Sequence, residues 1–193
     1  KKYLDKGDCI GVPTETVYGL AANAYSSLAV KKIFKLKKRP QNNPLIVHYS
    51  NIKSLKKDCL INNSFTKLYK KFSPGQITFV LKLRKDSKIS KYVINKQKNL
   101  AVRFPKHKLF KNLLNKLDYP LAAPSANISN KLSSVMASDV KEEFGTKIKY
   151  TIVSTINQYT KTPIHVVLAK NLVSKVLSNS FFNWKIIINF HFI

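Results

Sequence analysis

Four apolar runs in this chain meet a proline, so none of them can grow into a long strand or be absorbed into a helix. Cys9–Val12 ends at Pro13, Leu45–Val47 follows Pro44, Leu100–Phe104 ends at Pro105, and Leu121–Ala123 lies between Pro120 and Pro124. Proline fixes its own φ, lacks an N–H and pushes the residue before it toward extended backbone. Each run therefore reads as a short core strand. A fifth, Ile77–Leu83, follows the helix stop Ser73-Pro74-Gly75. Helical patterns fill the gaps. Ser26 or Ser27 caps a helix to about Leu36, with Val30, Ile33 and Phe34 facing inward. Asn51 opens another with Ile52 and Leu55. Ser64 is expected to cap a third along the stripe Phe65, Leu68, Tyr69 and Phe72. Leu109, Phe110, Leu113, Leu114 and Leu117 make a fourth, and Asp139 with Glu142 gives a capping-box start to a fifth that ends at Phe144-Gly145. Lys85–Lys98 reads as a polar surface excursion. Short strands alternating with helices predict an α/β fold. At 193 residues and 44% apolar, the chain is expected to form one domain around one core.

The segment Lys35–His48 combines these structural limits with charge. Lys37, Lys38 and Arg39 crowd the turn before Pro40, and Pro44 stiffens the way into Leu45–Val47 and His48. A rigid basic loop tied to a core strand suits a polyanion such as a triphosphate. Cations at a helix C-terminus are also favoured by the helix dipole alone. Lysine and arginine total 35 against 9 acidic residues, for a net charge of +26. That field attracts nucleotides and RNA. Much of it reflects a Lys-, Asn- and Ile-rich composition, so arginine is more informative. Only Arg39, Arg84 and Arg103 occur. A guanidinium offers a flat two-pronged donor that lysine cannot copy, and this chemistry is expected to matter at Arg39 and Arg103.

Several stretches together resemble the YrdC/Sua5 family, the threonylcarbamoyl-AMP synthases. They are Pro13-Thr14-Glu15-Thr16-Val17-Tyr18-Gly19-Leu20, Lys37-x-Arg39-Pro40 with Asn43–His48, Ser73–Leu81, Ala101–Pro105 and Ala123-Pro124-Ser125-Ala126-Asn127. The resemblance runs from about Gly7 to Gly145, which makes residues 1–145 the motif-bearing part and residues 146–193 a divergent part of the same domain. It implies a single-domain open, twisted mixed sheet with flanking helices and a basic concave face. It also implies synthesis of L-threonylcarbamoyladenylate from L-threonine, bicarbonate or CO2, and ATP, with release of pyrophosphate. That is the first step of the t6A modification of tRNA.

By the same resemblance Lys37, Arg39, Ser125 and Asn127 are the expected catalytic set. ATP is expected to meet these four together with Asn43 and Ser133. Threonine is expected to meet Thr16, His48, Arg103 and Ala123. Mg2+ is expected to arrive through the phosphates rather than a protein-held site. Partners would be tRNA or double-stranded RNA and downstream t6A transferase proteins, in the cytoplasm. Read alone, Ser125 and Asn127 are turn residues after a proline, His48 a histidine at a strand end, and Thr16 a loop threonine. Two other readings stay open: a non-catalytic RNA-binding module of the same fold, and an inactive family member. The second draws on Tyr150–Ile156, where Val153 stands in place of the family's glutamate and no glycine turn precedes it.

The sequence also excludes chemistries. No phosphate-binding Walker loop, nucleophile elbow or histidine–zinc pattern is present. Cys9 and Cys59 lack metal-ligand spacing and read as core thiols. No apolar run approaches the ~20 residues that cross a bilayer, and no signal-peptide pattern is visible. The aromatic, apolar stretch Phe181–Ile193 has no assignment.

Overall fold

The computed structural model describes residues 1–154 and the backbone of a strand at 164–167. The strands are β1 Ile10–Val12, β2 Gly19–Asn23, β3 Val47–His48, β4 Ile77–Lys82, β5 Asn99–Arg103, β6 Leu121–Ala122 and β7 Ile164–Val167. They form one mixed sheet in the order β1-β2-β6-β3-β5-β4-β7. β3 with β5 and β4 with β7 are parallel; the other neighbours are antiparallel. The helices are α1 Lys2–Asp5, α2 Ser27–Lys37, α3 Ile52–Leu55, α4 Asn63–Phe72, α5 Lys91–Ile94, α6 Lys108–Asn115 and α7 Ala137–Phe144. This is the expected single α/β domain.

Strand register sorts the side chains by face. Phe79, Val102, Val47, Ala122 and Ala22 lie in one cross-strand row. All are fully buried, in the larger core cluster with Ile33, Phe65, Leu68 and Val93. Its centre is aromatic: Phe65 meets Phe79 edge-on at 5.0 Å, and Tyr69 meets Phe104 at 4.7 Å. One residue further along each strand the side chains turn to the other face. The row there is Thr78, Arg103, His48, Leu121 and Asn23. A smaller core covers its β1 end, where Phe110 and Leu114 of α6 pack on Leu121, Ala21 and Val12. The sheet thus has one fully apolar face and one face with a polar middle.

Local chemistry moved several boundaries from their expected places. The cap of α4 is Asn62, not Ser64: its side chain accepts from the Phe65 N–H at 2.8 Å, and Ser64 falls inside the first turn. Asp139 sits at the third position of α7 and reaches back to the N–H groups of Val135 and Met136, both at 2.8 Å. Only Val47 and His48 pair as strand in the run from Leu45, because the Leu45 N–H is taken by the Val93 carbonyl at 2.9 Å. The stretch Lys85–Lys98 is more than a surface excursion. It contains α5, buries Ile89, Ser90 and Val93, and joins α2 through a Ser27–Ser90 hydroxyl contact at 2.9 Å.

Past Gly145 the chain returns to the sheet. Thr151 pairs with Gly11 of β1, and β7 adds beside β4. The apolar stretch at 181–193 lies outside the described residues.

Candidate active site

The polar row on the second face begins with Arg103. It is only 6% exposed, and its Nε and one terminal nitrogen donate to Thr78 Oγ1 at 3.0 and 2.7 Å. Burial lowers its pKa, and the Glu15 carboxylate acts in the opposite direction. Two anchored donors fix the plane of the guanidinium, and the remaining N–H groups are left for another acceptor. His48 is next in the row, 2% exposed and packed on Phe110 with ring centroids 5.1 Å apart. Burial first, then Arg103, pushes its pKa down to about 3, so the imidazole is neutral. Apart from a weak approach to the Leu121 backbone, its ring nitrogens have no partner among the described residues.

The polar tip after Pro13 folds inward. Thr14 Oγ1 accepts from the N–H groups of Thr16 and Val17 at 3.2 and 3.3 Å and donates to the Val17 carbonyl at 2.6 Å. That local ring of bonds holds Thr16, 7% exposed, with its hydroxyl 3.1 Å from that of Thr14. Glu15 Oε1 accepts from the backbone N–H groups of Lys106 and His107 just past β5. Its other oxygen is buried and has no partner among the described residues. Burial raises the Glu15 pKa; the backbone donors and then Arg103 and Lys106 moderate the rise.

The tip also carries the second wall. Tyr18–Leu20 run beside Pro124–Ala126, through Ala126 N–H to the Tyr18 carbonyl at 2.7 Å and Leu20 N–H to the Pro124 carbonyl at 2.8 Å. The last residue of α2, Lys37, reaches this loop. It is 1% exposed, and its ammonium donates to the carbonyls of Ser125, at 2.6 Å, and Asn127. Burial, then repulsion from Arg39, lowers its pKa to about 8. Arg39, half-buried, donates to the carbonyls of Asn43 and Pro44 at 3.2 and 3.1 Å and so braces the prolyl loop. Asn127 closes its own loop by donating to Ile128 and Lys131, each at 2.8 Å, which leaves Oδ1 buried and unpartnered. Ala123 is buried at the end of β6, its N–H on the Ile46 carbonyl at 3.0 Å.

Two of the expected residues stand apart. Asn43 and Ser133 are exposed, and the structure joins neither side chain to this constellation. The built-in serine is Ser134, buried and donating to the Ala126 carbonyl. Thr78 and Glu15 lie within the stretches that resemble the family but carry no expected role there, and Ser134 lies outside those stretches. A polar residue inside the apolar run Ile77–Leu83 was a usable signal for Thr78, and a carboxylate in a chain with 9 of them was one for Glu15. Nothing local marks Ser134 apart from its neighbour. A separate cavity of about 520 Å³, lined by Tyr25, Lys56, Lys57, Arg84 and Lys88 among others, contains none of the expected site residues.

The sequence model of the Sua5/YciO/YrdC family, whose descriptor is telomere recombination, matches residues 2–177. The chain belongs to this family. The match runs past Gly145 and includes β7, beyond the reach of the short motifs. The threonylcarbamoyl-AMP synthase of Pyrococcus abyssi is 40% identical over 153 residues, 78% of this chain and 44% of that protein. The Bacillus subtilis threonylcarbamoyl-AMP synthase is 40% identical over 148 residues, 75% of this chain and 42% of that one. The chain thus spans less than half the length of these two relatives. Among solved structures, P. abyssi Sua5 complexed with L-threonine superposes with a TM-score of 0.82 at 36% identity, covering 86% of this chain and 49% of that chain. Escherichia coli YciO shares the fold with a TM-score of 0.77 at 20% identity, over 88% of this chain and 82% of its own.

Proposed function

We propose that this chain makes L-threonylcarbamoyladenylate from L-threonine, bicarbonate or CO2, and ATP, releasing pyrophosphate, and so supplies the t6A modification of tRNA. The observation that carries the proposal is where the unpartnered buried polar atoms fall. Of the seven such atoms among the described residues, five (His48 Nδ1 and Nε2, Asn127 Oδ1, Glu15 Oε2 and Ser73 Oγ) belong to the stretches that resemble the family, and two (His107 Nδ1 and Ser129 Oγ) lie outside them. Leaving such an atom unsatisfied costs about 1–3 kcal/mol. Motif residues that keep such atoms suit a polar ligand, and the relative crystallised with L-threonine supports an amino acid as that ligand.

In this reading Arg103 takes the threonine carboxylate with the donors that Thr78 leaves over. Neutral His48, Thr16 and the backbone at Ala123 fix the rest of the amino acid. Lys37 and Arg39 carry positive charge toward the triphosphate. Ser125 and Asn127 hold the nucleotide from the opposite side, with the exposed Asn43 and Ser133 at the rim. The carbamate oxygen attacks the α-phosphorus and the bond to the β,γ-diphosphate breaks. The enzyme's part is to position anions and stabilise charge. Mg2+ would enter with the phosphates, which together with water supply most of its ligands. No helix among the described residues is long and apolar enough to cross a membrane.

The test is pyrophosphate release by the purified chain with ATP, Mg2+, bicarbonate and L-threonine, omitting one component at a time. Release that requires both threonine and bicarbonate is the expected result. Release without threonine, or none at all, removes the synthase reading.

A further inference from the structure

Glu15 has no part in the mechanism above, yet its carboxylate is held with care. One oxygen accepts from two successive backbone N–H groups, those of Lys106 and His107. The other is buried with no partner. Arg103 is close enough to be the electrostatic partner of Glu15, and each acts on the other's pKa. The two nevertheless form no ion pair: those among the described residues are Lys1–Asp118, Lys32–Asp8, Arg84–Asp86 and Lys131–Glu143. Arg103 is instead turned onto Thr78. The Glu15 carboxylate and the buried Arg103 guanidinium, each anchored at one end, suit the two opposite charges of a zwitterion.

We infer that Glu15 Oε2 binds the ammonium group of the amino-acid substrate and takes its first proton when the amine becomes a nucleophile. This rests on the threonine reading and deepens it. An ammonium has no lone pair, so carbamate formation must begin with loss of a proton. Glu15 accepts that proton and becomes neutral. Bicarbonate gives CO2 and hydroxide. The amine lone pair forms the new N–C bond, and one C=O electron pair of CO2 moves onto oxygen. The second N–H proton leaves to the hydroxide as water. Atoms and charge balance: ammonium, bicarbonate and carboxylate become carbamate, carboxylic acid and water.

The groups facing Glu15 fit this role. Burial raises its pKa and makes it a better base than an exposed glutamate. His107 is neutral, because burial lowers its pKa, and its Nε2 is occupied by Ser154 Oγ at 3.2 Å. Arg103 and Lys106 favour the charged carboxylate and offset part of the effect of burial.

Glu15→Gln separates this role from a structural one. The glutamine carbonyl can still accept both backbone N–H groups, while the amide turns N–H donors where the ammonium needs an acceptor. Calorimetric titration of the full chain with L-threonine should weaken about tenfold or more. Affinity for (R)-3-hydroxybutyrate, the same skeleton without the amine, should hold. Relative to the unaltered chain, threonine-dependent pyrophosphate release by the variant should fall at neutral pH, and the deficit should narrow as pH rises and threonine deprotonates in water. Equal weakening for both ligands, or unchanged threonine binding, overturns the assignment to the amine. A pH profile parallel to that of the unaltered chain overturns the proton transfer. If the unaltered chain binds no threonine, the threonine reading fails and takes this inference with it.

Discussion

An ammonium group taken out of water is costly unless other oxygens replace its hydration. Lys37 meets that condition with the carbonyls of Ser125 and Asn127, which satisfy two of its three N–H groups. One donor remains, which in the proposed reaction meets a phosphate oxygen. Burial and Arg39 lower its pKa to about 8, so the charged form is lost as pH rises through that value. Because kcat/KM reports the free enzyme, its value for ATP should decline above about pH 8. The same decline should be weaker in kcat, where bound triphosphate restores the proton. Stability moves the other way. The unfolded chain keeps this proton to higher pH than the folded one, so the Lys37 contribution raises the thermal midpoint as pH increases past 8. Lys37→Met should remove the alkaline decline and lower kcat/KM for ATP by about 10²-fold, the scale of one lost electrostatic donor. A decline that survives in the variant assigns it elsewhere. The motifs made Lys37, Ser125 and Asn127 legible in the sequence as a group. They could not show that lysine meets the other two through backbone carbonyls, since that depends on how the end of α2 lies against a loop some ninety residues later, with Asn127 at a separation of 90.

At the level of elements, the join between β1 and the segment after α7 is the sharpest structural dependence. Gly11 donates to the Tyr150 carbonyl at 3.0 Å and accepts from the Ile152 N–H at 2.9 Å. A Cβ on Gly11 would lie 2.7 Å from Thr151 Cγ2 and Oγ1. Gly11→Ala should therefore cost about 1–3 kcal/mol by overpacking. Amide hydrogen exchange should quicken at Ile152 and Ser154, whose N–H groups bond Gly11 and the Tyr18 hydroxyl. Thr151→Gly in the same chain should restore much of the loss. Unchanged exchange in Gly11→Ala would mean the segment moves aside freely. This contact explains why the fold was only partly legible. Proline-limited runs and helical stripes marked α2, α4, α6 and β4 because those signals are local. The pairing of Gly11 with Thr151 joins residues far apart in sequence, and no composition or spacing in Tyr150–Ile156 announces it. The cap at Asn62 was missed for a smaller reason. Asparagine and serine both cap well, and only the backbone angles at each position decide between them.

For the whole molecule the dominant fact is charge, +26 from 35 basic and 9 acidic residues. A charge of this size favours association with RNA whether or not the site is catalytic, so RNA binding alone would not separate a synthase from an RNA-binding module. Salt and one buried residue can. Association that neutralises six to ten phosphates loses about 10³-fold or more in affinity between about 50 and 200 mM salt. A nucleotide with its few charges loses much less. Lys37 is 1% exposed and contributes little to a surface field. Lys37→Met should therefore leave duplex-RNA affinity and its salt slope unchanged while threonine-dependent pyrophosphate release collapses. The two activities then belong to different parts of one molecule, a diffuse basic surface and a buried polar row. If the substitution weakens both together, and RNA competes with ATP, the RNA occupies the motif face itself. The non-catalytic reading would then gain the support that charge alone does not give it. Parallel titrations of RNA and ATP at matched salt, on the unaltered chain and on Lys37→Met, decide between these outcomes.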